Sequence, residues 1–598
     1  MIAARPAGDA ALLVEAGELA GPLAAAVRSW RLPGVTDVIA GARTVLIITE
    51  PGRWDLGELE RRVTAAAPAP GEPWAGGQAA AEIPVVYDGP DLAEVAQLTG
   101  LTPDEVIARH AGAQYTVGWL GFSPGFAYLT GLDPALQVPR LAAPRTAVPA
   151  GSVAIAGGLA AVYPTASPGG WRLLGRTSVR LWDSHRVPPA LLGPGMAVRF
   201  RPVAELPSEA DMPATDAPAG HDPAAFHDPL PFSVNATEKG NGSWMGPRIE
   251  MGGPWIEVIR PGPLATVQDL GRPGFGHLGV PSGGAADAGS LTWANELVGN
   301  PEGAAGLEFT LGRAVLRFGR DAVVAATGAA AAVTMDAGAG GEPGGDGSPG
   351  AGGEPGGGGH AGAVGFGVAV RVPAGAVLRI GAPAAGLRTY LAVRGGIDAE
   401  LELGSRSADL LSGLGPKPLR AGDLLGTGGP GGSVAGVGEA GVGEAGPGLG
   451  RGEAGAGPGV GVAGRGPGGG DAGGASAMGS GAGRAVPLTV VPGPRDDWFT
   501  AAALEVLCGT DYTVRPASDR TGLRLDGPVL PRAIEGELDP EGMVTGALQV
   551  PPDGRPILLL AGHPVTGGYP VIAVVVSADI GKAAQLRPGQ AVRFRRGG

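Results

Sequence analysis

Between Gly121 and Arg140 the chain reads GFSPGFAYLTGLDPALQVPR, and Arg145 follows five residues later. Glycine costs backbone entropy and proline removes a donor, so this mixture serves neither helix nor strand. It serves a shaped loop, in which Phe122, Pro124, Gly125 and Tyr128 line a pocket or turn a tight corner. Arg140 and Arg145, set among prolines, suit a clamp on a carboxylate or phosphate, because a guanidinium donates two parallel hydrogen bonds. Bonding to solvent or nearby carbonyls is the plain alternative. Downstream, PAGSVAIAGG carries Ser152 among small residues whose amides can face an anion, and SPGGW sets Gly169 and Gly170 beside Trp171. Tight turns explain both equally.

Further along, VQDLGRPGFGHLGVPSGGAAD packs Gln268, Asp269, Arg272, His277 and Asp287 among glycines, where substrate contact or loop bracing are the options. SDRTGLRL contributes Asp519, Arg520 and Arg524. On a strand, positions 520 and 524 share a face, so both arginines can serve one site, with a surface Asp–Arg pair as the alternative. His110 ends a predicted helix, where a dipole contact accounts for it equally well. No phosphate loop and no HExxH are present, and the His residues are scattered without cysteine partners, so no metal site is expected.

The elements that hold these residues are mostly short β-rich runs between Gly and Pro: TVLIITE, EIPVVYD, SVAIAGG, AAVYP, SVRLWD and AVRFRP. Such spacing predicts barrels or sandwiches and not a parallel α/β sheet. Helices are predicted in DLAEVAQLTG, TPDEVIARHAG and DDWFTAAALEVLCG. Residues 204–253, 336–366 and 427–484 are Pro-, Ala- or Gly-dominated and cannot bury enough apolar surface to offset ordering, so they are expected to be mobile, and deletion of 340–362 and 432–480 within the two Gly-rich inserts is expected to be tolerated. One echo stands out. PGMAVRFRP at 194–202 recurs as PGQAVRFRR at 588–596, and PGGW at Pro168 recurs as TGGY at Thr566. Upstream again, VPAGSVAIAGG matches VTGALQVPPDG, so the order predicts a duplicated β-domain.

Of 598 residues 44% are hydrophobic, enough for several cores, and the net charge of −13 argues against nucleic acid. Cys508 is the only cysteine, which excludes a disulfide framework. Neither a secretory signal nor an apolar run of membrane length is read, so a soluble cytoplasmic protein is expected, with no membrane partner.

The stretch from His110 to Thr177 resembles the B subunit of bacterial 5-oxoprolinase, also described as allophanate hydrolase subunit 1 or Kip-type kinase inhibitor. GDAALLVEAG and IPVVYDGPDLAEVAQLTGLTPDEVI extend the likeness over residues 1–203. RPGPLATVQDLGRPGFGHLGVPSGGAADAGSLTWANELVGNPEGAAGLEFTL, PGPRDDWF, SDRTGLRLDGP and GALQVPPDGRPILLLAGHPVTGGYP resemble the C subunit of the same enzyme, or allophanate hydrolase subunit 2. The chain thus looks like the B and C subunits fused.

That resemblance implies a mainly β fold with an α+β N-terminal part and tandem cyclophilin-like barrels. The expected units are 1–82 (small α/β), 83–203 (barrel), 204–253 (linker), 254–426 (first β-domain of the C-like half), 427–484 (insert) and 485–598 (second barrel). It also implies His110, Arg140, Arg145, Asp269 and Arg272 as catalytic candidates, and adds Tyr163, Gln549 and Tyr569 to the binding residues named above. The implied activity is ATP-dependent opening of 5-oxo-L-proline to L-glutamate, with Mg²⁺-ATP as substrate and a separate A subunit as partner; a homo-oligomer stays open. The alternatives are a Kip-type regulator of a sensor kinase, and a biotin-dependent carboxyltransferase resembling urea carboxylase. Leu159 and Gly562 depart from residues the family often carries there, Gln and Asp.

Overall fold

The computed structural model describes residues 2–65, 80–141, 143–207, 255–336, 362–428, 484–536 and 538–597. Most of the expected linker and both glycine-rich segments therefore lie outside the described residues. The N-terminal unit is an antiparallel sheet in the order Ala3–Pro6, Ala11–Glu15, Thr44–Thr49, Val35–Ala40. Helices Ala20–Ser29 and Leu56–Ala65, which sequence reading passed over, cover it with Leu23, Val27, Leu59 and Val63, pairs spaced four residues apart on one face.

A seven-stranded sheet follows in the order Arg172–Arg176, Ser152–Ala156, Leu159–Val162, Ala127–Thr130, Tyr115–Leu120, Ala197–Pro202, Ala80–Val85. Val86 and Arg176 exchange backbone hydrogen bonds of 3.0 and 2.9 Å, which joins its two edges and leaves little open strand. Strand Ala80–Val85 lies wholly in this barrel, so the expected boundary at 82/83 falls inside a strand. The predicted helices form as Leu92–Thr99 and Pro103–Gly112, the latter opened by a Thr102–Glu105 capping box. SVRLWD is not a strand. Val179 and Leu181 alternate inward as the sequence suggested, but only Trp182 bridges, to Ala190; alternation reported burial, not pairing.

At the C-terminal end a closed barrel runs Val571–Val575, Ala547–Gln549, Ile557–Leu559, Gly522–Asp526, Asp511–Val514, Ala591–Arg596, Val486–Pro492. Position by position this is the order of the first barrel. The echoed strands occupy the same place: Ala197–Pro202 pairs in parallel with the first strand of its barrel, as Ala591–Arg596 does in the other. On the opposite side Val198 faces Tyr115 and Val592 faces Tyr512. Phe200 packs edge-on to Tyr115 at 5.1 Å, and Phe594 sits 5.9 Å from Tyr512. The repeated AVRF is thus a core-facing strand pattern used twice.

Between the barrels in sequence, residues 255–428 form a seven-stranded and a five-stranded sheet packed around Val258, Phe309, Leu316, Leu378 and Leu391. Helix Ala288–Val298 lies beside them, capped by Asp287 and stopped by left-handed Gly299. Strand Gly362–Val364 pairs with Val333–Asp336 through Met335 opposite Gly362, so the tail of the expected 336–366 insert belongs to the sheet. Those pairs bring the segment's two ends to one hairpin mouth. Replacing 337–360 with Asn-Gly, which suits a two-residue hairpin turn, is expected to leave the melting temperature unchanged or slightly higher in a calorimetric scan. A large fall in Tm would show that the segment packs. Among the described residues no helix is long and apolar enough to cross a membrane.

Candidate functional site

The two barrels face each other across a cavity of about 640 Å³. Both halves of the echo line it: Gly169, Gly170 and Trp171 from one barrel, Thr566, Gly567, Gly568 and Tyr569 from the other. Each set lies just before an equivalent strand, Arg172–Arg176 or Val571–Val575. The first barrel contributes a box of rings. Phe126 meets Tyr163 at 5.2 Å and Trp171 at 5.7 Å, both edge-to-face, and Tyr128 stacks on Trp119 at 4.6 Å. Edge-to-face contacts fix ring positions beyond what area burial does.

Thr566 pins this box from the second barrel. Its Oγ1 accepts from the Phe122 amide at 2.8 Å and lies 3.0 Å from the Tyr128 hydroxyl. Gly121 allows the approach, since a methyl there would sit 2.5 Å from the Thr566 side chain. Phe122 takes a left-handed φ of 61°, a conformation disfavoured for a bulky residue and held here by the Thr566 contact.

Arg140 reaches the same cavity, its guanidinium against Gly568, where a Cβ would stand 3.0 Å from Nη1. Burial raises the Tyr128 and Tyr163 phenols above their ordinary value, while the Arg140 charge works to lower both. The two therefore remain protonated donors at neutral pH. Arg532 and Asp553 add charges on the second barrel's side, and Gln549 is oriented by bonds from its Nε2 to Met543 Sδ at 3.0 Å and the Tyr569 carbonyl at 3.3 Å. Flat apolar walls with guanidinium and phenol donors suit a small, planar, anionic molecule that bears a carbonyl.

Of the residues singled out by sequence, Phe122, Tyr128, Arg140, Tyr163, Gly169, Gly170, Trp171, Gln549 and Tyr569 line this cavity. The others do not. Pro124 and Gly125 are buried in the turn behind it, where the Gly125 amide donates to Leu278 O. Arg145 is committed to Asp91 at 2.6 Å and to the Trp171 carbonyl, so it braces the Trp171 backbone from outside. Ser152 bonds its own turn at Pro149 O. His110 is buried in the first barrel's core between Tyr87, Tyr115 and Phe200, with Nδ1 2.7 Å from the Tyr87 hydroxyl; burial lowers its pKa to about 3.

In the second half Asp269 gathers Ser405, Ser407 and the Arg406 amide, Arg272 donates to Glu402 O and Ser407 O, and Gln268 donates to Ala408 O. These three fasten one loop to another. His277 is half-buried against Gly274 O, in a loop whose Gly274 and Gly276 amides donate to Asp37 of the N-terminal sheet. Asp287 caps a helix and accepts from Gln585. Asp519 caps a turn through the Thr521 amide. Arg520 precedes the strand that begins at Gly522 and is buried on Glu308, whereas Arg524 is exposed, so the two do not share a face. Leu159 packs partly buried beside the N-terminal core, and neither it nor Gly562 lines the cavity. Sequence reading missed Phe126, Thr566, Gly568 and Arg532, although the TGGY echo already marked two of them.

The carboxyltransferase-domain profile for subdomains C and D matches residues 2–192, and that for subdomains A and B matches residues 278–596. The 5-oxoprolinase B subunit of Escherichia coli O157:H7 is 42% identical over 200 residues, 31% of this chain and 88% of that protein. The 5-oxoprolinase C subunit of Escherichia coli K12 is 31% identical over 345 residues, 57% of this chain and 90% of that protein. The crystal structure of TTHA0988, 32% identical, superposes with a TM-score of 0.71 over 100% of both chains. With both profiles placed on the two halves that enclose the cavity, the chain belongs to the carboxyltransferase-domain family, carrying subdomains C and D ahead of A and B in one polypeptide.

Proposed function

We propose that the chain is the B and C component of an ATP-dependent 5-oxoprolinase, which opens 5-oxo-L-proline to L-glutamate together with a separate A subunit. One observation carries this reading. The halves that match the B and C subunits over most of those proteins' lengths meet at one cavity, and that cavity holds Arg140 against an aromatic box. 5-Oxoproline is a flat ring with one carboxylate and one lactam carbonyl. The guanidinium suits the carboxylate, and the Phe122, Phe126 and Trp171 rings suit the ring faces. Amide resonance protects the lactam C–N bond, and phosphoryl transfer from Mg²⁺-ATP to the carbonyl oxygen would remove that protection. A positioned donor such as Arg532 would stabilise the charge that grows there.

The test is reconstitution. Alone, the purified chain is expected to release no glutamate from 5-oxoproline; with its A subunit and Mg²⁺-ATP it is expected to do so. Glutamate release by the chain alone would refute this assignment. The family's carboxyltransferase description supports a second reading, and ATP-independent carboxyl transfer from carboxybiotin would put that one first.

A further inference from the structure

Segment 561–569 of the second barrel has a cavity on each side. Pro564, Thr566 and Gly567 line the inter-barrel cavity, whereas Ala561, His563 and Val565 line a separate cleft of about 400 Å³. From His563 to Thr566 successive residues alternate between the two cavities, so a single stretch of chain separates them. The N-terminal sheet supplies Asp9 and Asp37 to the cleft, and the loop at Ser282 adds part of its wall, so three units of the fold meet there. Clefts at such junctions are preferred places for small ligands.

The charged groups of the cleft lean one way, beside Ser282 and Thr545 hydroxyls that can donate or accept. Among the described residues no Lys or Arg lines it; Asp9 and Asp37 are its charged side chains, with Arg28 near Asp37. His563 Nδ1 lies 2.8 Å from the Pro564 carbonyl oxygen, which can only accept. The proton is therefore assigned to Nδ1, and Nε2 is left as an acceptor. Burial lowers the pKa of this imidazole, so it stays neutral at pH 7. Ser577 already gives its amide and hydroxyl to Asp9. The Val38, Gly274 and Gly276 amides already meet Asp37, so the remaining lone pairs of Asp9 and the Nε2 lone pair of His563 are what is left to be met. The inter-barrel cavity has the opposite character, with Arg140 and Arg532 on its wall.

We propose that this cleft is a second ligand site, for a small neutral or cationic molecule that donates N–H hydrogen bonds, the chemistry of a primary amine or amide. The test uses the full chain and three probes of one size: propylammonium, propionamide and propionate. Ligand-observed NMR and calorimetry are expected to show propylammonium and propionamide binding with Kd on the order of 1–10 mM, the range open to so few atoms. Gly289→Trp adds bulk to the cleft lining at a position where an added Cβ meets only Asp287 Oδ1 at 3.8 Å. This variant and His563→Phe are each expected to weaken both N–H donors about tenfold or more. Arg140→Ala is expected to leave them unchanged. His563→Phe serves as the independent check if the tryptophan variant does not fold. The proposal fails if the N–H donors do not bind the wild type, or if their binding survives both cleft variants. It fails equally if that binding disappears with Arg140→Ala, or if propionate binds in the cleft, seen as propionate affinity lost in Gly289→Trp.

Discussion

Arg140→Lys is expected to lower kcat/KM of the reconstituted enzyme roughly ten- to a hundredfold while its melting temperature stays near that of the wild type. A charge-assisted hydrogen bond contributes about 1.5–3 kcal/mol, and lysine keeps the charge but loses the planar fork. The effect should appear in substrate affinity and turnover because Arg140 lines the cavity instead of filling a core. Gly568→Leu gives an independent route to the same outcome. Gly568 is not in the left-handed region, so a side chain meets no backbone strain there; it meets the Arg140 guanidinium and the Leu538 carbonyl at about 3 Å. Arg145→Lys is the contrast. Its partner is Asp91, which an ammonium can still reach, so kinetics close to wild type are expected. Steady-state assays and thermal scans on the three variants separate a cavity arginine from a bracing one. Wild-type kinetics for Arg140→Lys would mean that the Gly121–Arg140 loop is only a corner.

The loop that holds Arg140 was legible because its message is local. Glycines, prolines and rings within twenty residues can only shape backbone around a pocket or a turn, and the structure puts Phe122, Tyr128 and Arg140 on one wall. The echo was legible for a similar reason: a strand that enters parallel pairing at the same place in two barrels keeps the same inward Val and Phe. Distant partners were not legible. Asp269 and Arg272 look like substrate ligands in a glycine-rich loop, yet Ser405, Ser407 and Glu402, more than a hundred residues away, satisfy them. His110 failed likewise, because the Tyr87 and Phe200 that enclose it come from other strands and loops. Period alone could not place Arg520, since the strand on which it was counted starts two residues later.

Arg520→Met is expected to cost stability and not catalysis directly, and by more than the Arg140, Arg145 or Gly568 substitutions. Glu308 and Arg520 are 1% and 6% exposed at their side chains, and Arg388, 2% exposed, lies 3.6 Å from the same carboxylate. The Tyr390 hydroxyl and the Ala286 amide donate to Glu308 Oε2 at 2.8 and 3.0 Å, and Arg520 donates to the Gly284 carbonyl at 2.5 Å. This cluster ties the second barrel to the preceding sheets. Removing one ion of a buried pair leaves the other desolvated, which typically costs about 3–5 kcal/mol. Glu308→Ala should be at least as damaging, because it strands two arginines at once. Burial works to raise the Glu308 carboxyl, but Arg520 and Arg388 hold it below its ordinary value of 4.5. A depressed carboxylate contributes stability above the unfolded pKa and loses it as pH falls through the folded one. Wild-type stability in urea should therefore fall more steeply with acid below about pH 4.5 than that of Glu308→Gln. The Arg520→Met variant should melt several degrees lower, with the KM of its surviving fraction unchanged. A normal melting temperature with a raised KM would return Arg520 to the substrate site.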